Sequence, residues 1–460
     1  MSYPIVSNSS FKGLIGVSQV DITPPVGIYA KNWGAATHET AEGIHKPLFL
    51  TCITFRTSEN NNPLVLVGAD LGWWKSAEDE QFVRMGILGE LGLPVENLMF
   101  CLSHTHAGAS LFREDKFNPG GNLIEPYLTE TREKAIASIR NAMELEATAT
   151  LSWNYGKCAL AVNRELPDRE KRRFLVAMNP DESADDTLLV GRITDADHKI
   201  IGTIVNYACH PTTLAWDNKL ISPDYVGAMR ETVEQETGAP CLFLQGASGE
   251  LSPKEQYVAN VDLADRYGKQ LGYAVLSTLE DMLPAGKMLV FKGAVESGAP
   301  LGIWSQVDLE VSRAFCYSLN DIFFDLKELP SLAEIEAEWH ASKDPVIKER
   351  LWRKRGIRKT VGEGQVSAMP LWVWRLGDAF LIGQPNEAYS FFQQELRAKL
   401  APNAVAAINI VNGYAGYLPP ASFYPNDAYA VWQTPFKAGS LELLTNKAVE
   451  AAQRLYRYEC

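Results

Sequence analysis

Apolar runs of strand length, each ending abruptly in small or polar residues, recur along this chain with helical patterns between them. "PLVLVGAD" (63–70) and "LMFCLS" (98–103) read as buried strands. "YLTETREKAIASIRNAME" (127–144) carries apolar residues at helical spacing and predicts an amphipathic helix. The order returns in kind: "IIGTIVNYACH" as strand, "DYVGAMRETVEQETG" as a helix stopped by Gly238, "APCLFLQGASG" as strand, "VDLADRYGKQLGYAVLSTLEDM" as helix. Strand-like pairs come back in "LWVWRLGDAFLIGQ" and "AVAAINIVNGY", and a final helix is expected over roughly Leu441 to Tyr456. This alternation points to the α/β class: mixed β-sheets flanked by helices, in a single large domain over residues 1–460. One segment breaks the texture. Residues from about 331 to 355 form a strongly charged helical stretch interrupted by Pro345, which reads as an insertion, a lid or a subunit contact.

Composition narrows the partners. With a net charge of -13, the chain has nothing to offset phosphate repulsion, so nucleic acid is excluded as a ligand. No apolar run approaches the length that spans a bilayer, and no basic region followed by an apolar stretch opens the sequence; a cytoplasmic protein is expected. Seven cysteines, an odd number scattered over 460 residues, read as reduced buried thiols. The oligomeric state is open.

The chemistry concentrates in "CLSHTHAG" (101–108), which holds two of only seven histidines. If His104 and His106 extend the strand before them, their side chains share one face at its C-terminal end, where ligands collect in open α/β sheets. His210 ends another apolar strand, just before a proline. Two such strands can bring imidazoles to one zinc ion, with oxygen ligands completing the sphere; three histidines satisfied separately by backbone groups are the structural alternative. A third strand ends in "QGASGELSP", a glycine-rich turn bearing Ser248, Glu250 and Ser252, whose spacing is not that of a nucleophile elbow.

Taken together and in order, "SHTHAG", "CHPTT" and "QGASGELSP" resemble the signature segments of the neutral/alkaline non-lysosomal ceramidase family. "DITPPVG", "EGIHKPL", "VNRE", "SPDYVG", "QPNEAYS" and "NGYAGYLPP" match further family segments across nearly the whole chain. The resemblance implies a catalytic domain with zinc held by His104, His210, Glu387 and Tyr417, Tyr414 being the alternative tyrosine. It also implies His106 as an acid/base or oxyanion donor, Arg164 as positive charge beside the oxyanion, and Ser252 as a positioning group or nucleophile. The activity implied is zinc-dependent hydrolysis of a linear amide in a small N-acyl or lipid-like, ceramide-like substrate, which belongs to sphingolipid metabolism. Glu250 stands for the family's Asp and Lys254 for its Asn, and the C-terminal β-sandwich of the ceramidases is expected to be missing. These departures favour, as the second reading, an amidase or esterase acting on a small soluble compound; a binding protein that kept the cleft is the third.

Other residues have plainer expectations. Asp70 orients a ligand histidine or caps a helix, Asp224 caps one, and His45 belongs to the core or backs the site. Trp33, Trp73, Trp74 and Trp216 are core residues or walls of an apolar cleft.

Overall fold

The computed structural model describes residues 4–457. Eight strands form the main sheet: Ser9–Asp21 (β1), Phe49–Arg56 (β2), Leu64–Ala69 (β3), Leu98–Leu102 (β4), Ala147–Lys157 (β5), Thr187–Thr194 (β6), Ile200–Tyr207 (β7) and Cys241–Gln245 (β8). Their order is β8-β7-β6-β5-β1-β2-β3-β4. The two outer pairs, β3 with β4 and β7 with β8, run parallel, and the pairs between them antiparallel. A second sheet holds Phe315–Asp325 (β9), Val366–Leu376 (β10), Ala379–Gly383 (β11) and Ala404–Ile408 (β12) in that order, with β11 and β12 parallel.

Side-chain alternation stacks these sheets. In β10, Trp372, Trp374 and Leu376 pack with Phe11, Phe55, Trp153 and Leu242 of the first sheet. Met369, Leu371 and Val373, from the same strand, point into a separate core with the helices Phe391–Leu400 and Ser440–Arg457. In β3 and β4 one face (Val65, Val67, Leu98, Phe100) meets the helices Ala77–Leu91 (α1) and Ile124–Glu144 (α2), while Leu64, Leu66 and Met99 face the second sheet. Helices Tyr225–Thr237 (α3) and Val261–Glu280 (α4) cover β7 and β8. The result is helix, sheet, sheet, helix, each sheet buried on both faces, which explains strands that read as continuous apolar runs.

The main sheet curls until its edges approach. A Cβ on Gly68 of β3 would lie 2.8 Å from the Phe243 carbonyl of β8, so only glycine permits this closeness. The chain leaving β12 stitches the gap: Leu102 N–H donates to the Ile410 carbonyl on one side and Asn409 N–H to the Gln245 carbonyl on the other. The C-terminal ends of β4, β7, β11 and β12 thereby face one point.

The charged segment is two helices, Leu332–Ala341 (α5) and Pro345–Val361 (α6). Pro345 does not break a helix: it opens α6, where its missing N–H costs no bond, and Asp344 caps the turn. Cys52, Cys101, Cys158, Cys209 and Cys241 are buried free thiols, whereas Cys316 on the outer strand β9 is disulfide-bonded, against the expectation of reduced thiols throughout. Among the described residues no helix is long and apolar enough to cross a membrane.

Candidate active site

His104 and His106 do not prolong a strand, as the sequence suggested. β4 ends at Leu102, and Ser103 and His104 donate their N–H groups back to Ala69 and Leu71. His104 takes a left-handed conformation (φ 70), a strain of order 1–3 kcal/mol that the turn's hydrogen bonds must hold. The turn still presents both rings together, 4.8 Å apart between centroids, and the His210 ring lies 5.1 Å from that of His104. The ligand nitrogens of the three histidines all fall within 4.8 Å of one another.

The tautomer of His210 follows from its neighbours. Nδ1 faces two carbonyls, Ser248 (2.7 Å) and Leu251 (3.1 Å), which only accept, so Nδ1 carries the proton. Burial, then the Arg164 guanidinium, drive its pKa down to about 4, so the ring is neutral and Nε2 offers a lone pair. Arg164 Nη2, a donor only, confirms that assignment at 3.2 Å. Yet the same Nε2 stands 2.7 Å from Oε2 of Glu387. His104 Nε2 points at that oxygen too, at 3.4 Å, with no hydrogen bond of acceptable geometry, while its Nδ1 faces the Gly72 carbonyl. Two lone pairs aimed at one carboxylate oxygen repel unless a cation lies between them.

Glu387 and Tyr417 arrive as a register pair. The parallel strands Glu387–Ala388 and Tyr417–Leu418 place them side by side. The Tyr417 hydroxyl accepts from Arg164 Nη2 (3.0 Å) and lies 3.5 Å from His210 Nε2; Tyr414 instead donates to Oε1 of Glu387 at 2.7 Å. Burial and then Glu387 push both phenols well above their ordinary value. Arg164 also donates to the Gly249 carbonyl (2.8 Å), which fixes its head in place. Neutral imidazoles, a carboxylate and a phenol fit a borderline ion such as zinc.

His106 is half-buried, with both ring nitrogens shielded and unpartnered, and packs between Trp73 (4.7 Å) and Trp33 (5.1 Å). Burial, then the two neighbouring imidazoles, hold its pKa well below the ordinary value. It opens on a cavity of about 460 Å³ whose lining includes Trp33, Trp73, Trp216 and Tyr257. Of the four tryptophans weighed as cleft walls, three serve so; Trp74 is core.

Ser252 is not brought into this group. It is fully buried in the strand Leu251–Pro253, outside the cavity lining, and its hydroxyl contacts the Pro253 carbonyl at 3.4 Å. Asp70 neither caps a helix nor backs a histidine; it makes a bidentate pair with Arg230 of α3, both contacts 2.6 Å. Asp224 caps α3, and His45 bonds Ser222 away from the cavity. Sequence reasoning missed Tyr429, Glu349, Arg350 and Arg353, which line the cavity. Arg353 donates to the Tyr429 hydroxyl (2.9 Å) and pairs with Glu349 (2.8 Å), so α6 roofs the site. Nothing local in "YAVWQ" or "KERLWRKRG" distinguishes these residues from surface charge and core aromatics.

Comparison with known proteins bears on the family and the fold. The pattern described as neutral/alkaline non-lysosomal ceramidase, N-terminal, matches residues 14–259. The chain is 25% identical over 260 residues to a neutral ceramidase of Pseudomonas aeruginosa, covering 52% of this chain and 36% of that protein. It is 24% identical over 245 residues to one of Drosophila pseudoobscura pseudoobscura, covering 48% and 32%. The matched stretch therefore spans about a third of these relatives' length. The crystal structure of the Pseudomonas aeruginosa neutral ceramidase superposes on 99% of this chain and 76% of that one, with a TM-score of 0.65 at 18% identity, which shows a shared fold. With the family pattern running through more than half of its residues, histidine turns and glycine-rich turn included, the chain belongs to the neutral/alkaline non-lysosomal ceramidase family.

Proposed function

We propose that the chain is a zinc-dependent hydrolase that cleaves a linear amide bond in an N-acyl, lipid-like substrate of the ceramide type. One observation carries the reading: two buried imidazole lone pairs converge on one oxygen of Glu387, a contact that is repulsive without a cation. His104, His210, Glu387 and Tyr417 would hold that ion, and zinc bound there supplies Lewis-acid polarisation of a carbonyl and activation of water. Tyr417 is preferred to Tyr414 because its hydroxyl lies beside His210 Nε2, whereas Tyr414 is engaged with the far oxygen of Glu387.

The remaining chemistry belongs to side chains. Arg164, held by Gly249 and Tyr417, keeps a full positive charge next to the point where an amide oxygen turns negative. His106, neutral with both nitrogens free, takes a proton from water and returns it to the leaving amine. The aromatic walls exclude water and suit an acyl chain. Ser252 has no part in this scheme.

Mass-spectrometric metal analysis of wild type and His210→Ala, purified side by side without added metal, tests the reading. The expected result is about one zinc per chain, absent from the variant. Absence of metal from both proteins even after zinc is supplied overturns it. A short-chain ceramide assayed beside an N-acylethanolamine of equal chain length then sets the substrate, and His106→Ala is expected to lower kcat on either by roughly 10²–10⁴-fold.

A further inference from the structure

Helix α6 carries seven basic residues and one acid in a chain whose net charge is -13. Part of that charge is matched: Arg353 pairs with Glu349, Arg355 with Glu336 and Glu114, and Lys359 with Glu114. A second row is not. Arg350, Lys354 and Arg358 fall at four-residue intervals and so share one side of the helix. Among the described residues none of the three has a carboxylate partner. Arg350 lies over the Trp432 ring at 4.9 Å, and Arg358 donates from Nη1 to the Gly362 carbonyl that ends the helix.

This row lines one cavity of about 220 Å³ on the flank of α6, walled by Ile335, Ile357 and Trp432, and among the described residues no acidic side chain faces it. Arg358 is 6% exposed, and its Nε is buried without an acceptor. A buried guanidinium N–H lacking a partner is rare, and three cations around one apolar pocket repel one another unless an anion joins them.

We propose that this cavity binds a small organic anion with an apolar tail, its carboxylate or phosphate held by Arg358 and Lys354 and its tail against Ile335, Ile357 and Trp432. The volume is below that of a usual drug-sized site, which limits the occupant to a short chain. The site is distinct from the histidine cavity and does not depend on the hydrolase reading, but the two are neighbours, since Arg350 and Gln433 line both. An anion here neutralises the underside of the roof over the histidines.

Isothermal titration of the full chain with octanoate, octyl phosphate, octanol and acetate tests the site. One saturable site per chain is expected for octanoate or octyl phosphate, with octanol and acetate each weaker by at least about tenfold. The better of the two anions identifies carboxylate or phosphate as the natural group. Lys354→Met and Arg358→Met should each weaken binding about tenfold or more, and His210→Ala, which alters the other cavity, should leave it in place. Arg358 holds the carbonyl that ends α6 and its variant can misfold; among the described residues Lys354 makes no bond, so its variant keeps the test decisive. Octanol binding as tightly as octanoate, no anion binding, or unchanged affinity in folded Lys354→Met overturns the proposal.

Discussion

Glu250 accepts from the Ser390 backbone N–H at 2.9 and 3.0 Å and from the Ser390 hydroxyl, yet burial pushes its carboxyl up to about 7 from an ordinary 4.5. An acid raised on folding favours the native state in its protonated form. That contribution is complete below pH 4.5 and is lost as pH climbs through about 7, on the order of 3 kcal/mol. Glu250→Gln stays neutral throughout, so its stability relative to wild type should improve between pH 5 and pH 8. Urea unfolding of both proteins at the two pH values reads this, and parallel pH dependence would contradict it. The two tyrosines offer a second contrast. Tyr417→Phe removes a proposed ligand and Tyr414→Phe only a bond to one, so dialysis against a chelator should strip zinc more readily from the first, while the second loses roughly tenfold in affinity.

At the scale of strands and helices, convergence of the histidines depends on the curl of the main sheet. Gly68→Ala sets a methyl 2.8 Å from the Phe243 carbonyl and 3.0 Å from Leu242, forcing β3 and β8 apart. A loss of about 1–3 kcal/mol is expected in urea unfolding, together with weaker zinc retention. Breaking the Asp70–Arg230 pair that ties the end of β3 to α3 should cost more, about 3–5 kcal/mol for Asp70→Ala, because a buried guanidinium is left alone. Element types were legible because nearly every strand is buried on both faces and reads as an apolar run. The curl was not, since it rests on a glycine's meeting with a carbonyl 175 residues away in the chain. His104 and His210 could be picked out by their place after apolar runs; Glu387 and Tyr417 came only through family resemblance. Arg353 and Tyr429 could not be read at all, because their roles arise where α6 crosses the cavity. Ser252 was picked out by its motif position alone, which does not say which way a hydroxyl turns.

For the molecule as a whole, the proposed ion would clamp together segments that follow β4, β7, β11 and β12, and so both sheets. Ligand binding to the folded state alone adds stability by mass action, about 4 kcal/mol at a thousand times Kd. Wild type should therefore melt several degrees higher with zinc than after chelation, and His210→Ala should show no such difference; equal melting of loaded and stripped wild type would count against a shared ion. The pairing of Glu387 with Tyr417 has a bearing on biogenesis. Both lie beyond the second sheet's middle strands, and Glu387 leaves the ribosome roughly 280 residues after His104. At translation speeds of about 5–20 residues per second, the nascent chain spends on the order of tens of seconds with its imidazoles made and their carboxylate not yet synthesised. Completion of the centre is thus a late event, timed by the arrival of the C-terminal strands, and until then the growing polypeptide cannot turn over substrate by the proposed chemistry.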